Sequence, residues 1–291
     1  VSTQILLADQ ALAMGRVHEA GLLYWEALRL QPAHRDEIVG HLLSLNLPIA
    51  DLAEVLSGSP SAAGMVPGYL WHQGRVTETV PWMKALLAIE GPDLRRLAAL
   101  GYHLVAYERD LDQAGKVSAD LMVLFPDAPE GYKLQADIQA ATGDDLGSLA
   151  MLREARARAP ENLALALDEM TVLARLRRFD AFDRVTDEVR PRMHTDPSLA
   201  FRYHLLLADR LETADKLADA LIELHLASRE APRDLRLFFM RARIYTKLQD
   251  FVRAAEEYRQ VLRFAPDNAA AQEALRAFEG EGANAAPPAA P

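Results

Sequence analysis

Pro232 and Pro266 lie 34 residues apart, and each closes a stretch that reads as two amphipathic helices joined by a tight turn. In the clearer stretch, 235–268 (LRLFFMRARIYTKLQDFVRAAEEYRQVLRFAPDN), apolar or small residues return every three or four places on both sides of Leu248-Gln249-Asp250. That is the period of an α-helix with one buried face. Phe238, Ala242 and Tyr245 fall on one face of the first helix, and Phe251, Ala254, Tyr258, Val261 and Leu262 on one face of the second. A hairpin of two such helices cannot bury both stripes by itself, so the pattern predicts copies stacked on either side of it.

The copies are present. Leu207, Ala208, Leu211, Leu217, Ala220, Leu224 and Ala227 repeat the pattern before Pro232. Tyr132, Ala136, Gly143, Leu152 and Ala155 repeat it before Pro160, which is itself 34 residues after Pro126. Leu7, Ala8, Ala11, Gly15, Val17, Ala20, Tyr24 and Ala27 repeat it before Pro32. The order large, small, aromatic, alanine, aromatic, proline, carried by Phe238, Ala242, Tyr245, Ala254, Tyr258 and Pro266, resembles the tetratricopeptide repeat. Arg241 stands where that family usually has leucine, Ala242 where it has glycine, and Val261 where it has alanine. The resemblance implies an all-α, right-handed α-solenoid of stacked helix-turn-helix repeats with a C-terminal capping helix. A fold of this kind does not by itself name a function.

Taken in order, residues 1–32 read as the first hairpin, with Gly15 in its turn. Residues 33–92 read as divergent helical repeats, with short helices expected at 36–45, 49–56, 62–72 and 80–89. Asn46-Leu47-Pro48 and Ser57-Gly58-Ser59-Pro60-Ser61 break them, because proline is tolerated at a helix start but not inside one. Residues 93–279 read as regular repeats followed by a capping helix at 269–278, with a short linker at 193–197. The stretch 280–291 (GEGANAAPPAAP) has no large apolar group to offset its ordering entropy and reads as a disordered tail or linker.

Charge and composition narrow the function. The chain carries 32 basic and 42 acidic residues, a net charge of −10, which opposes a phosphate backbone. Nucleic acid is therefore not the expected partner. No apolar run approaches the roughly 20 residues that cross a bilayer. Cysteine is absent, which removes disulfides, thiolate nucleophiles and cysteine zinc sites. The chain starts at Val1, so a preceding segment that was removed, or a longer parent, is the expectation, and the compartment stays open with the periplasm favoured over the cytoplasm.

No catalytic or cofactor motif emerges. His18, His34, His41, His72, His103, His194, His204 and His225 have no HExxH-like spacing and read as surface or packing residues. Gly58-Ser59-Pro60-Ser61 lacks the strand-turn-helix context of a reactive serine and reads as a turn. Asp144-Asp145 reads as a helix start and Glu256-Glu257 as a solvated face. Trp25, Trp71 and Trp82 are too scattered for a base-stacking platform and read as packing residues or rim anchors. The chain is thus expected to be no enzyme and to need no cofactor or metal.

What stacking leaves is a surface. The family resemblance implies that the first helix of each repeat lines a concave groove, here with Arg96, His103, Glu130, Lys133 and Asp137 early on. In the last two hairpins it implies Arg202, Leu205, Asp209 and Glu212, then Arg236, Phe239, Arg243 and Thr246. Ile5, Asp9 and the absence of matching asparagines speak against the family's chaperone-tail clamp. From Pro191 onward the chain holds 14 basic and 15 acidic residues against 18 and 27 before it, so its last third is nearly neutral. Arg202, Leu205, Asp209, Arg236, Phe239 and Arg243 are the expected partner-binding groove. Its arginines either take an acidic or carboxylate-bearing peptide or an anionic polymer, or pair internally with Asp209 and Glu212. The function expected is a protein- or peptide-binding scaffold of a bacterial multiprotein assembly, exported in the manner of the periplasmic arrays that escort exopolysaccharide secretion. The alternatives are the interaction arm of a larger enzyme such as a transferase, and homo-oligomerisation through the groove or end helices.

Overall fold

The 34-residue period is realised as helical hairpins, and no strand occurs among the described residues. The computed structural model describes residues 2–30, 32–45, 47–57, 63, 65–72 and 75–284. It divides into two compact units, Val1–Ala159 and Pro160–Pro291.

The first unit opens with α1 (Ser2–Ala13) and α2 (Val17–Leu30). The divergent region contributes α3 (Arg35–Ser44), α4 (Ile49–Ser57), α5 (Val66–His72) and α6 (Thr79–Glu90). Pro48 precedes α4 and Pro81 falls in the first turn of α6, where a missing N–H costs no helical hydrogen bond. Ser57 ends α4, while Gly58–Ser61 of the expected break lie outside the described residues. Two regular hairpins follow: α7 (Leu94–His103), prolonged by a π-helical turn at Leu104–Glu108, with α8 (Leu111–Leu124), then α9 (Glu130–Ala141) with α10 (Asp145–Arg158). One core runs through this unit from Ala8 and Tyr24 by way of Leu56 and Trp82 to Leu121 and Ile138. Leu7, placed in the apolar register by its spacing, is instead half-exposed.

The second unit holds α11 (Leu163–Arg175) with α12 (Phe179–Val189), α13 (Pro197–Thr213) with α14 (Leu217–Glu230), α15 (Leu235–Lys247) with α16 (Phe251–Phe264), and a last helix α17 (Ala269–Asn284). The expected linker at 193–197 is a 3-10 turn at Arg190–Thr195, after which the Asp196 carboxylate accepts the backbone N–H groups of Ser198 and Leu199 and caps α13. The last helix runs past the 278 expected for it and includes 280–284 of the stretch read as a tail. Two glycines do not stop it, and the first proline beyond it is Pro287. Residues 285–291 lie outside the described residues.

The regular hairpins turn by one shared device. Gly15, Arg109, Gly143, Arg177, Asp215 and Gln249 all sit at positive φ, between 53° and 82°. The N–H of the next residue then bonds back across the end of the first helix, as in Asp144 to Gln139 (2.8 Å), Lys216 to Leu211 (2.9 Å) and Asp250 to Tyr245 (2.9 Å). This closes the helix by satisfying carbonyls its last turn leaves free. The spacing of these residues is 34 throughout the regular hairpins except between Arg177 and Asp215, where four more residues make α13 one turn longer than α11.

Seven residues before the turn residue four hairpins have a buried alanine, Ala8, Ala136, Ala208 or Ala242, which lets the paired helices close on each other, whereas α11 has the buried Met170 there. In α7 the corresponding small residue is Gly101, eight before Arg109. The π-helical turn takes up the extra residue and leaves Tyr102 exposed beside it. A Cβ on Gly101 would run into the Leu134 side chain, so the glycine makes room for that leucine.

Candidate partner-binding face

Helices α13 and α15 are successive first helices in 34-residue register, so residues at equal positions fall into rows. Arg202 and Arg236 form one, Leu205 and Phe239 a second, Asp209 and Arg243 a third. Contacts across the two helices follow the register: Arg243 Nη2 donates to Asp209 Oδ1 at 3.2 Å and to Glu212 Oε2 at 2.6 Å. Lys247 Nζ reaches the other Glu212 oxygen at 2.7 Å. Along the same 34-residue step Arg202 donates to Asp168 of α11. Arg236 folds back on Asp234 at 2.7 Å and lays its guanidinium over the Phe201 ring, 5.0 Å from the centroid.

Every groove arginine named from the sequence therefore has an internal carboxylate. Arg243 pairs with the foreseen Asp209 and Glu212, whereas Arg202 and Arg236 use Asp168 and Asp234. Glu212 differs from the other carboxylates because only 5% of it is exposed. Burial pushes its pKa up, but the hydrogen bonds from Arg243 and Lys247 outweigh burial and hold it below the usual carboxylate value. Leu205 and Phe239 are half-buried between the charged rows, and Phe239 meets Tyr258 edge to face at 5.9 Å.

Of the earlier lining residues, Glu130 buries its Oε2 without a hydrogen-bond partner among the described residues, and the others are occupied. Arg96 bonds Glu90, and Lys133 bonds Asp137 one turn away at 2.6 Å. His103 packs against Tyr107, and burial lowers its imidazole pKa. The Thr246 hydroxyl donates to the Ala242 carbonyl at 2.8 Å. His41 lies 3.1 Å from both oxygens of Asp9, which also accepts the buried Tyr24 hydroxyl, and His204 lies 2.6 Å from Glu223. Among the described residues no cluster of three or more histidine or carboxylate side chains could hold a metal ion.

Of the buried polar atoms without a hydrogen-bond partner among the described residues, Thr79 Oγ1, Glu130 Oε2, Gln139 Oε1 and Thr186 Oγ1, the last stands out against the repeat pattern. Nine residues after the turn residue the hairpins carry Tyr24, Leu152, Leu224 and Tyr258, but α12 carries Thr186. Ser118 at the same position donates to the Gly131 carbonyl at 2.9 Å. The Thr186 hydroxyl is buried without a hydrogen-bond partner among the described residues. A cavity of about 450 Å³ opens beside it, lined also by Leu207, Leu211 and Arg210. Its signal in the sequence is a small polar residue at a position mostly filled by large ones.

The chain matches no protein-family model and no curated protein. Among solved structures, a tetratricopeptide repeat protein from Parabacteroides merdae aligns over 96% of this chain and 98% of its own, with a TM-score of 0.56 and 13% identity. The fold is a tetratricopeptide-repeat fold. A human IFIT1 dimer with m7Gppp-AAAA aligns over 97% of this chain and 65% of its own, with a TM-score of 0.53 and 15% identity. At such identities the likeness is one of tetratricopeptide-repeat architecture, and the residues of the face have to speak for themselves.

Proposed function

We propose that the chain is a non-enzymatic binding scaffold and that the face of α13 and α15 receives an extended segment of a protein partner. The observation that carries this reading is the row pattern, with Leu205 and Phe239 in the middle and charged residues on both sides. Adjacent helices pack roughly 8–10 Å apart, so the central row offers apolar contacts at a regular step along a bound chain. The flanking rows hold both signs of charge, which fits a segment of mixed charge better than an anionic polymer. Exposed ion pairs contribute only about 0–1 kcal/mol, so a partner carboxylate can replace Asp234 on Arg236 at small cost. Arg243 is a different case, because it neutralises the buried Glu212. A nucleotide ligand like that bound by IFIT1 is disfavoured here by the net charge of −10.

Peptides selected from a displayed random library against the intact chain test the reading. Selected peptides should lose about tenfold or more in affinity, roughly 1.4 kcal/mol, on Leu205→Asp, and less on Arg236→Glu. Equal affinity for Leu205→Asp with an unchanged helical spectrum would remove this face as the site. We further place the scaffold in an exported bacterial assembly, on its alanine, arginine and leucine content; recovery from the cytoplasmic fraction alone overturns that part. The alternative of an interaction arm of a larger enzyme uses the same face and has no separate observation in its favour.

A further inference from the structure

A second surface lies in the first unit, where the hairpins can be compared position by position. Seven and ten residues after the turn residue, the second helix of each regular hairpin faces solvent. At the first position the chain has Lys116, Ala150, Arg184, Ile222 and Glu256, and at the second Ala119, Arg153, Asp187, His225 and Arg259. In α2 these two positions are Leu22 and Trp25. They are 58% and 40% exposed and sit one turn apart on the same face. Leucine and tryptophan together at positions that are otherwise mostly charged or small break the pattern that keeps such a helix in water.

These side chains border a groove of about 800 Å³ between α2, α4 and α6. Val55 and Gly21 form its floor, where the two helices approach closely: a Cβ on Gly21 would stand 3.3 Å from the Val55 Cα. Ile89, 48% exposed, closes the far side. The rim is acidic. Asp51 makes no ion pair or side-chain hydrogen bond among the described residues, and Glu54 has only His18 at 3.8 Å. The first unit as a whole carries 13 basic and 20 acidic residues, seven of the chain's ten net negative charges.

We propose that this groove docks an amphipathic helix of a partner protein, with an apolar stripe seated on Leu22, Trp25 and Ile89 and lysine or arginine residues beside it facing Asp51 and Glu54. The groove supplies what helix-in-groove recognition needs, an apolar trough with an exposed aromatic anchor, and its rim charges fix the sign of the flanking residues. It is separate from the α13–α15 face and stands whether or not that face binds a peptide.

The probe is a synthetic helical peptide of leucine and lysine with a single apolar stripe, titrated by calorimetry into the full-length chain, with its leucine-glutamate counterpart as the control. The leucine-lysine peptide should bind, and Leu22→Asp or Trp25→Ala should weaken it about tenfold or more. Asp51→Asn with Glu54→Gln should weaken it severalfold and flatten its dependence on salt. Leu22, Trp25 and Glu54 are exposed and Asp51 is half-buried in the first turn of α4, so the helical spectrum and melting point of each variant are measured beside its binding and should stay close to wild type. No binding by the leucine-lysine peptide, equal binding by the leucine-glutamate peptide, or binding indifferent to Leu22→Asp overturns the proposal. So does a concentration-dependent dimer that Leu22→Asp abolishes, which would make the groove a contact between two copies of the chain.

Discussion

Four of the turn residues, Arg109, Arg177, Asp215 and Gln249, hold left-handed backbone that glycine holds at Gly15 and Gly143. A side chain there costs roughly 1–2 kcal/mol, part of which glycine would return as extra unfolded-chain entropy. Gln249→Gly should therefore raise stability by about 0.5–1 kcal/mol, read as a higher denaturant midpoint at unchanged slope; a lower midpoint would mean that the Gln249 side chain contributes to the turn. Residue type gave little sign of these conformations at arginine and glutamine, which rarely adopt them, whereas aspartate does so more readily; the 34-residue spacing links Arg109 to Gly143 and Arg177, and Asp215 to Gln249, and fails between Arg177 and Asp215. Ion pairs divide in the same way. Asp168–Arg202 and Asp209–Arg243 follow from the period, but Arg236 turning to Asp234 depends on a side-chain rotamer that no spacing encodes. Glu212 carries a pH prediction. Its pKa is lowered on folding, so its ionised form stabilises the fold above the ordinary value of 4.5, and that contribution is lost as pH falls through its lower folded value. Glu212→Gln should thus be less stable than wild type at neutral pH, with a gap that narrows on acidification; a gap independent of pH would show that folding leaves the Glu212 pKa unshifted.

Elements show why the regular repeats were easy to read and the region 33–92 was not. In most of the regular hairpins a small residue sits at the helix crossing and a turn residue follows seven places later, so local pattern and global packing agree; α11 has Met170 at that place, and in α7 the distance is eight. Between α3 and α6 the prolines cut the chain into helices of 7 to 12 residues, too short for the period to repeat within them. The π-helical turn after α7 is intermediate: its extra residue is visible as the shift of Gly101, but only once the neighbouring turn is known to be Arg109. Gly131, at the start of α9, makes the packing requirement testable. A Cβ there would come within 2.9 Å of the Met122 side chain and 3.0 Å of the Met122 backbone nitrogen, so α9 and α8 touch through the glycine. Gly131→Ala should destabilise by about 1–3 kcal/mol despite alanine's better helix propensity. At Gly115 an added methyl would meet nothing within 4 Å, so Gly115→Ala in α8 should be neutral or stabilising. Equal effects from the two would show that helix propensity, not contact, decides at Gly131.

At the scale of the whole molecule, stability should be uneven, because in a repeat stack each hairpin is held only by its neighbours. Among the described residues, the cluster that α15 and α16 share with α17 has three buried apolar residues, Phe238, Val261 and Ala271, one of them an alanine. The cluster around α13 and α14 has eight, including Phe201, Leu224 and Ile244. Helix α17 has α16 as its stacking partner and adds the ring contacts of Phe278 with Phe251 and Tyr258, at 5.7 and 6.0 Å. With so few buried apolar contacts, α17 should open locally at a free energy well below that of global unfolding, while α13 and α14 should exchange close to it. Native-state amide hydrogen exchange read helix by helix checks this. Phe278→Ala should speed exchange in α17 and at the C-terminal end of α16 while leaving α13 and α14 unchanged. Uniform protection from α13 to α17, or a loss that spreads to α13 and α14, would mean that the second unit opens as a single cooperative block and that its last helix is bound more tightly than its small core accounts for.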